Sequence, residues 1–131
     1  MEKAILLVDD EPLILLALRQ DLRTELGPSF RYEIARDATE GLEAIEELDA
    51  AGVKVVLVIS DWLMPGMKGD EFIELVRADH PDVKTVMVSG QVEAEHLDRL
   101  RSGGTLDAFF GKPWNVRALM RECRRLLSSS G

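Results

Sequence analysis

Cysteine is almost missing from this chain, and the single Cys123 excludes an internal disulfide and any zinc site built on cysteines. It fits a reducing compartment and reads as a small buried hydrophobe. Long apolar runs are also missing. No stretch approaches the roughly 18 apolar residues of a membrane span, and Met1-Glu2-Lys3 followed by only five apolar residues does not form a signal peptide. The expectation is a cytoplasmic protein with no membrane contact. Positive charge is in deficit: 16 Lys and Arg against 24 Asp and Glu leave a formal charge of −8. Such a surface repels nucleic-acid phosphates and anionic lipid, so direct nucleic-acid binding by this domain is not expected. No internal repeat is found. What is present is 131 residues, 46% of them hydrophobic, which suits one soluble domain with one core.

Residues 4–8 are wholly apolar and end at Asp9-Asp10-Glu11, the pattern of a strand covered on both faces. After Pro12, Leu15, Leu18, Leu22 and Leu26 recur at helical spacing up to Gly27-Pro28. Phe30, Tyr32 and Ile34 alternate with Arg31 and Glu33, which predicts a strand at a sheet edge. Asp37 and Glu40 have capping-box spacing before a helix carrying Leu42, Ile45 and Leu48. Residues 53–59 predict another buried strand, which delivers Asp61. A helix opened by Gly69-Asp70 carries Phe72, Ile73 and Val76 inward and stops at His80-Pro81. Residues 83–88 predict a strand, Leu97 and Leu100 a weak helix, and residues 106–110 the last strand. Val116, Leu119, Met120, Cys123 and Leu127 mark a final helix, and the Ser-rich residues 128–131 read as a flexible tail. Five strands alternating with five helices predict an α/β fold with a doubly wound parallel sheet.

Ligands of such sheets bind outside the carboxyl ends of the strands. Here the strands are nearly free of charge, yet their ends carry Asp9 and Asp10, then Asp61, then Ser89, then Lys112. Each alone could be a cap, a turn former or a solvated charge. Together, crowded carboxylates repel one another unless a cation sits among them. Mg²⁺ suits oxygen donors of this kind and commonly shares them with phosphoryl groups. Lys112 would supply the opposing charge, the Ser89 hydroxyl a hydrogen bond to a phosphoryl oxygen, and Asp61 the nucleophile, exposed by the turn at Met64-Pro65-Gly66.

The ordered segments VDDEP (8–12), DWLMPGMKG (61–69), VSG (88–90) and FFGKP (109–113) resemble those of the response-regulator receiver domains of two-component signalling, over residues 5–127. The resemblance implies a flavodoxin-like sheet of strand order 2-1-3-4-5 and a receiver domain over residues 1–127. It implies that Asp61 is the phosphoacceptor, taking a phosphoryl group from phosphohistidine on a histidine kinase or a histidine phosphotransfer protein. Asp10 would bind Mg²⁺ directly and Asp9 largely through water, beside Asp61, with the main-chain carbonyl of Leu63 completing the protein ligands. Ser89 and Phe109 would form the switch, Lys112-Pro113 would be a cis bond, and the fourth helix, fifth strand and fifth helix would face an output domain or target protein. Leu63 and Gln91 would flank the phosphate pocket. Because Leu63 has no polar side chain to position an attacking water, slow self-dephosphorylation is expected, and the chain reads as a phosphoacceptor, not a turnover enzyme.

Two other readings differ in kind. A haloacid-dehalogenase-type phosphohydrolase also uses a strand-end Asp, Mg²⁺, Ser or Thr, and Lys, but carries a D-x-D motif after its first strand, with the general acid two residues past the nucleophile. Here the first acids are adjacent and Leu63 stands two past Asp61. An inert interaction domain of the same fold would have no need of the complete acceptor set. Trp62 and Trp114 could be partner contacts or rim residues. Arg117, Arg121, Arg124 and Arg125 form a basic side of the last helix, best read as a solvated face. His80 and His96 read as surface histidines.

Overall fold

The computed structural model describes residues 1–90 and 94–129. Along the chain run β1 (Lys3–Val8), α1 (Pro12–Leu26), β2 (Phe30–Ala35), α2 (Ala38–Ala50), β3 (Lys54–Ser60), α3 (Gly69–Asp79), β4 (Lys84–Ser89), α4 (Ala94–Ser102), β5 (Ala108–Gly111) and α5 (Val116–Ser129). The five strands pair in parallel in the order β2-β1-β3-β4-β5, the order that the resemblance implies.

The apolar strands are explained by the two cores that they separate. Ala4, Leu6 and Val8 of β1 point toward Ile45 of α2, Phe72 and Ile73 of α3 and Leu100 of α4. Ile5 and Leu7 point the other way, into Leu15, Leu18 and Leu22 of α1 and Leu119, Met120 and Cys123 of α5. A strand buried on both faces needs apolar residues at every position. The register of β1 against β3 shifts between Ala4 and Ile5, so Val56 and Leu57 both fall on the α1/α5 side.

Local signals act as the sequence suggests, with some differences. The Asp37 carboxylate accepts from the Glu40 N–H at 2.8 Å, while Glu40 reaches back one residue further than the cap, to the Arg36 N–H. On α2 the buried stripe includes Gly41 beside Ile45 and Leu48, and Leu42 is only half-buried. At the edge strand β2, Tyr32 is buried and its hydroxyl donates to the Gly27 carbonyl at 2.6 Å. Ile34 lies at the margin, 38% exposed. On α5 the buried set is Leu119, Met120, Cys123 and Leu126; Val116, at the helix start, is exposed and Leu127 is half-buried.

Several predicted strand ends move by one residue, and two boundaries move by two. Residues 106–110 predict the last strand, but β5 begins at Ala108: the Leu106 N–H turns back to the Leu100 carbonyl at 3.1 Å, anchoring the end of α4. Helix α5 continues through Ser128 to Ser129, so the first half of the supposed flexible tail is helical. Ser130, Gly131 and Gln91 lie outside the described residues. Among the described residues, no helix is long and apolar enough to cross a membrane.

Candidate functional site

The sheet brings the strand-end residues to one cleft. The Asp9 N–H donates to the Ala35 carbonyl at 3.1 Å and the Asp61 N–H to the Val8 carbonyl at 3.0 Å, so both acids hang from the last rungs of the ladder. Asp9 is 2% exposed and Asp61 6%, whereas Asp10 is exposed. One oxygen of Asp61 accepts from the Trp62 N–H at 2.7 Å, and Oδ1 of Asp9 accepts from the Glu11 N–H at 2.9 Å. Each buried carboxylate therefore has one oxygen fixed by the main chain and one that meets Lys112.

Behind Asp61, the loop is shaped by a close approach. The Gly69 N–H donates to the Trp62 carbonyl at 2.8 Å, and a Cβ on Gly69 would lie 2.1 Å from the Asp61 carbonyl oxygen. Only glycine lets the start of α3 rest on the main chain of Asp61. The Ser60 hydroxyl donates to that same carbonyl at 2.8 Å.

Lys112 arrives from β5, its N–H donating to the Ser89 carbonyl at 3.2 Å and its bond to Pro113 cis, as the resemblance implies. Its Nζ donates to Asp9 at 2.8 Å, Asp61 at 3.1 Å and Glu11 at 3.3 Å. Burial by itself would lower the pKa of this ammonium, but its hydrogen bonds to Asp9 and Asp61 outweigh that, and it is raised. Burial likewise pushes the Asp9 carboxyl up, with Lys112 and the Glu11 N–H opposing and the Asp61 charge adding to it.

Carboxylate oxygens of Asp9, Asp10, Glu11 and Asp61 lie within 4.8 Å of one another. Four acids against one ammonium leave a hard, oxygen-only donor set with excess negative charge, which fits a small divalent cation such as Mg²⁺. Asp10, Glu11, Asp61, Leu63, Ser89, Gly90 and Lys112 line a cleft of about 430 Å³. Ser89 is buried at its wall and Leu63 is 43% exposed at its rim. Phe109 is half-buried against the core on the α3/α4 side.

The structure adds one residue to the site that the sequence pattern does not single out, and it places the tryptophans, histidines and arginines named above. Glu11 joins both the acid cluster and Lys112. Trp62 is neither a rim residue nor a partner contact: it is 3% exposed in the core, its ring 5.1 Å from that of His96 on α4. His96 is thus tied to the loop after Asp61 and stands 3.5 Å from Asp70, which also holds Arg99 at 3.2 Å. His80 closes α3, its N–H donating to the Val76 carbonyl at 2.8 Å. Trp114 lies in a groove of about 520 Å³ with Glu11, Ile14, Lys112, Pro113 and Val116. Of the basic residues on α5, Arg124 pairs with Glu25 of α1 and Arg125 with Glu122, so part of that side is engaged within the molecule.

Comparison with known proteins agrees with this geometry. A family model described as the response regulator receiver domain matches residues 5–124. The chain is 30% identical over 129 residues to chemotaxis protein CheY1 of Helicobacter pylori strain J99, covering 96% of this chain and 98% of that one. It is 31% identical over 126 residues to sensor kinase CckA of Brucella abortus, but spans only 12% of that protein's length. Among solved structures, a CheY-like receiver domain protein from Methanospirillum hungatei JF-1 superposes with a TM-score of 0.85 at 32% identity, covering 99% of this chain and 97% of the other. The chain belongs to the family of response regulator receiver domains.

Proposed function

We propose that this receiver domain accepts a phosphoryl group on Asp61 from phosphohistidine of a histidine kinase or histidine phosphotransfer protein. The observation that carries the reading is Lys112 Nζ held between the two buried acids, 2.8 Å from Asp9 and 3.1 Å from Asp61, at a cleft roomy enough for a tetrahedral anion. The Asp61 oxygen that meets Lys112 attacks phosphorus in line, the bond from phosphorus to the histidine nitrogen breaks, and its electron pair leaves with the imidazole. Lys112 then turns from the Asp61 carboxylate to the phosphoryl oxygens, and the Ser89 hydroxyl donates to another. Asp9, Asp10, Asp61 and the Leu63 carbonyl would hold Mg²⁺, which when bound supplies positive charge against the carboxylates and the phosphoryl oxygens.

The acyl phosphate draws Ser89 toward it, and Phe109 moves into the space released. The surface of α4, β5 and α5 is then the readout for an output domain or target. Receiver domains are phosphoacceptors and not turnover enzymes in general, and Leu63, apolar at the rim, gives no acid for a phosphohydrolase cycle. Stoichiometric labelling by acetyl phosphate with Mg²⁺, lost in Asp61→Asn and on chelation, is the expected result. Many turnovers of p-nitrophenyl phosphate would favour the hydrolase instead, and silence toward beryllofluoride with Mg²⁺ would favour an inert domain.

A further inference from the structure

Glu11 stands at the N-cap of α1, where a side chain commonly accepts from the first free N–H groups of its helix. It makes no such bond. Its main-chain N–H orients Asp9 at 2.9 Å, and its carboxylate goes to Lys112 Nζ at 3.3 Å. An ammonium has three N–H donors, and those of Lys112 meet three different carboxylates: Asp9, Asp61 and Glu11. A phosphoryl group arriving at Asp61 needs at least one of these donors. The partner most readily released is Glu11, whose side chain is 62% exposed against 2% for Asp9 and 7% for Asp61, because water takes over the hydrogen bonds of an exposed carboxylate. Glu11 also lines the cleft and adds a fourth negative charge to its acids.

We propose that Glu11 is a positioning and specificity residue for phosphoryl transfer: it holds the third donor of Lys112 in the resting protein and disfavours small, doubly charged phosphodonors. This rests on Asp61 being the phosphoacceptor. With acetyl phosphate, a dianion, Asp61 attacks phosphorus, the bond from phosphorus to the bridging oxygen breaks and acetate leaves. With phosphoramidate, a monoanion near neutral pH, the phosphorus–nitrogen bond breaks and ammonia leaves. The Glu11 charge opposes the first donor more than the second, so it sets the ratio of the two rates.

The test measures labelling rates of the parent, Glu11→Gln and Glu11→Asp with both donors at saturating Mg²⁺, in low and high salt, beside a calorimetric Mg²⁺ titration. Glu11→Gln should speed labelling by acetyl phosphate about threefold to tenfold and by phosphoramidate about twofold or less. The difference should fade in high salt, because the charge is exposed. Glu11→Asp, which keeps the charge, should stay near the parent ratio. An unchanged ratio, or equal changes with both donors, would overturn the proposal. So would slower labelling by both donors together with about tenfold weaker Mg²⁺ binding, which would make Glu11 a cation holder. Labelling that persists in Asp61→Asn would sink the phosphoacceptor reading itself, a distinct outcome.

Discussion

Leu63 and Cys123 show how one side chain sets a rate or a pH range. Leu63 sits 43% exposed at the cleft rim and cannot hold a water for attack on an acyl phosphate. Leu63→Asn should therefore shorten the half-life of the Asp61 phosphoryl group, followed as loss of label in a chase; an unchanged or longer half-life would count against Leu63 setting that rate. Cys123 is fully buried among the α1/α5 core. Burial first, and the Glu122 charge second, push its thiol from 9.0 up to about 12. The folded state thus holds this proton more tightly than the unfolded chain. Its stabilising contribution is complete below pH 9 and is lost as pH rises toward 12. Cys123→Ala should cost about 1–2 kcal/mol near neutral pH, and denaturant titrations should show the gap to the parent closing across that alkaline window.

At the scale of elements, the start of α3 is the most constrained feature. Gly69→Ala would drive a methyl into the Asp61 carbonyl oxygen and the Trp62 Cα. Overpacking onto backbone leaves no side chain to yield, so a loss of about 3 kcal/mol and defective phosphorylation are expected together. Parent-like stability in thermal unfolding would refute this. The strands and the residues at the cleft were legible because a doubly covered parallel strand is written as an unbroken apolar run, and the first polar residue after it lies at the carboxyl end of the sheet. Other features depend on meetings across the fold that no local pattern encodes. Glu11 finds Lys112 across 101 positions of sequence. Trp62 is buried because the loop doubles back onto Gly69 and α4 closes over it, whereas its neighbours in sequence suggest only a turn. On α5, periodicity marks Val116 and Leu127; the packing of α1 along its flank buries Leu126 instead and leaves Val116, at the helix start, in the open.

For the whole molecule, charge is concentrated where function needs it, at a cost in stability. Four carboxylates share one end of the sheet in a chain already at −8, and their mutual repulsion is present before any phosphoryl group arrives. Asp10→Asn should stabilise the metal-free protein by about 0.5–1 kcal/mol. Millimolar Mg²⁺ should raise the melting temperature of the parent more than NaCl of equal ionic strength, through binding linkage. Asp10→Asn should lose most of that excess, and an equal response to both salts would argue against a specific cation site.

The seat of Gly69 on the main chain of Asp61 also gives the molecule a direction. Helix α3 is braced directly against the main chain of Asp61, while α4 meets the same loop through the rings of Trp62 and His96. A shift of the Asp61 main chain would meet a wall on the α3 flank and a cushion of rings on the α4 flank. Yielding is therefore lopsided, and a protein that senses modification at this cleft has to grip the flank that gives.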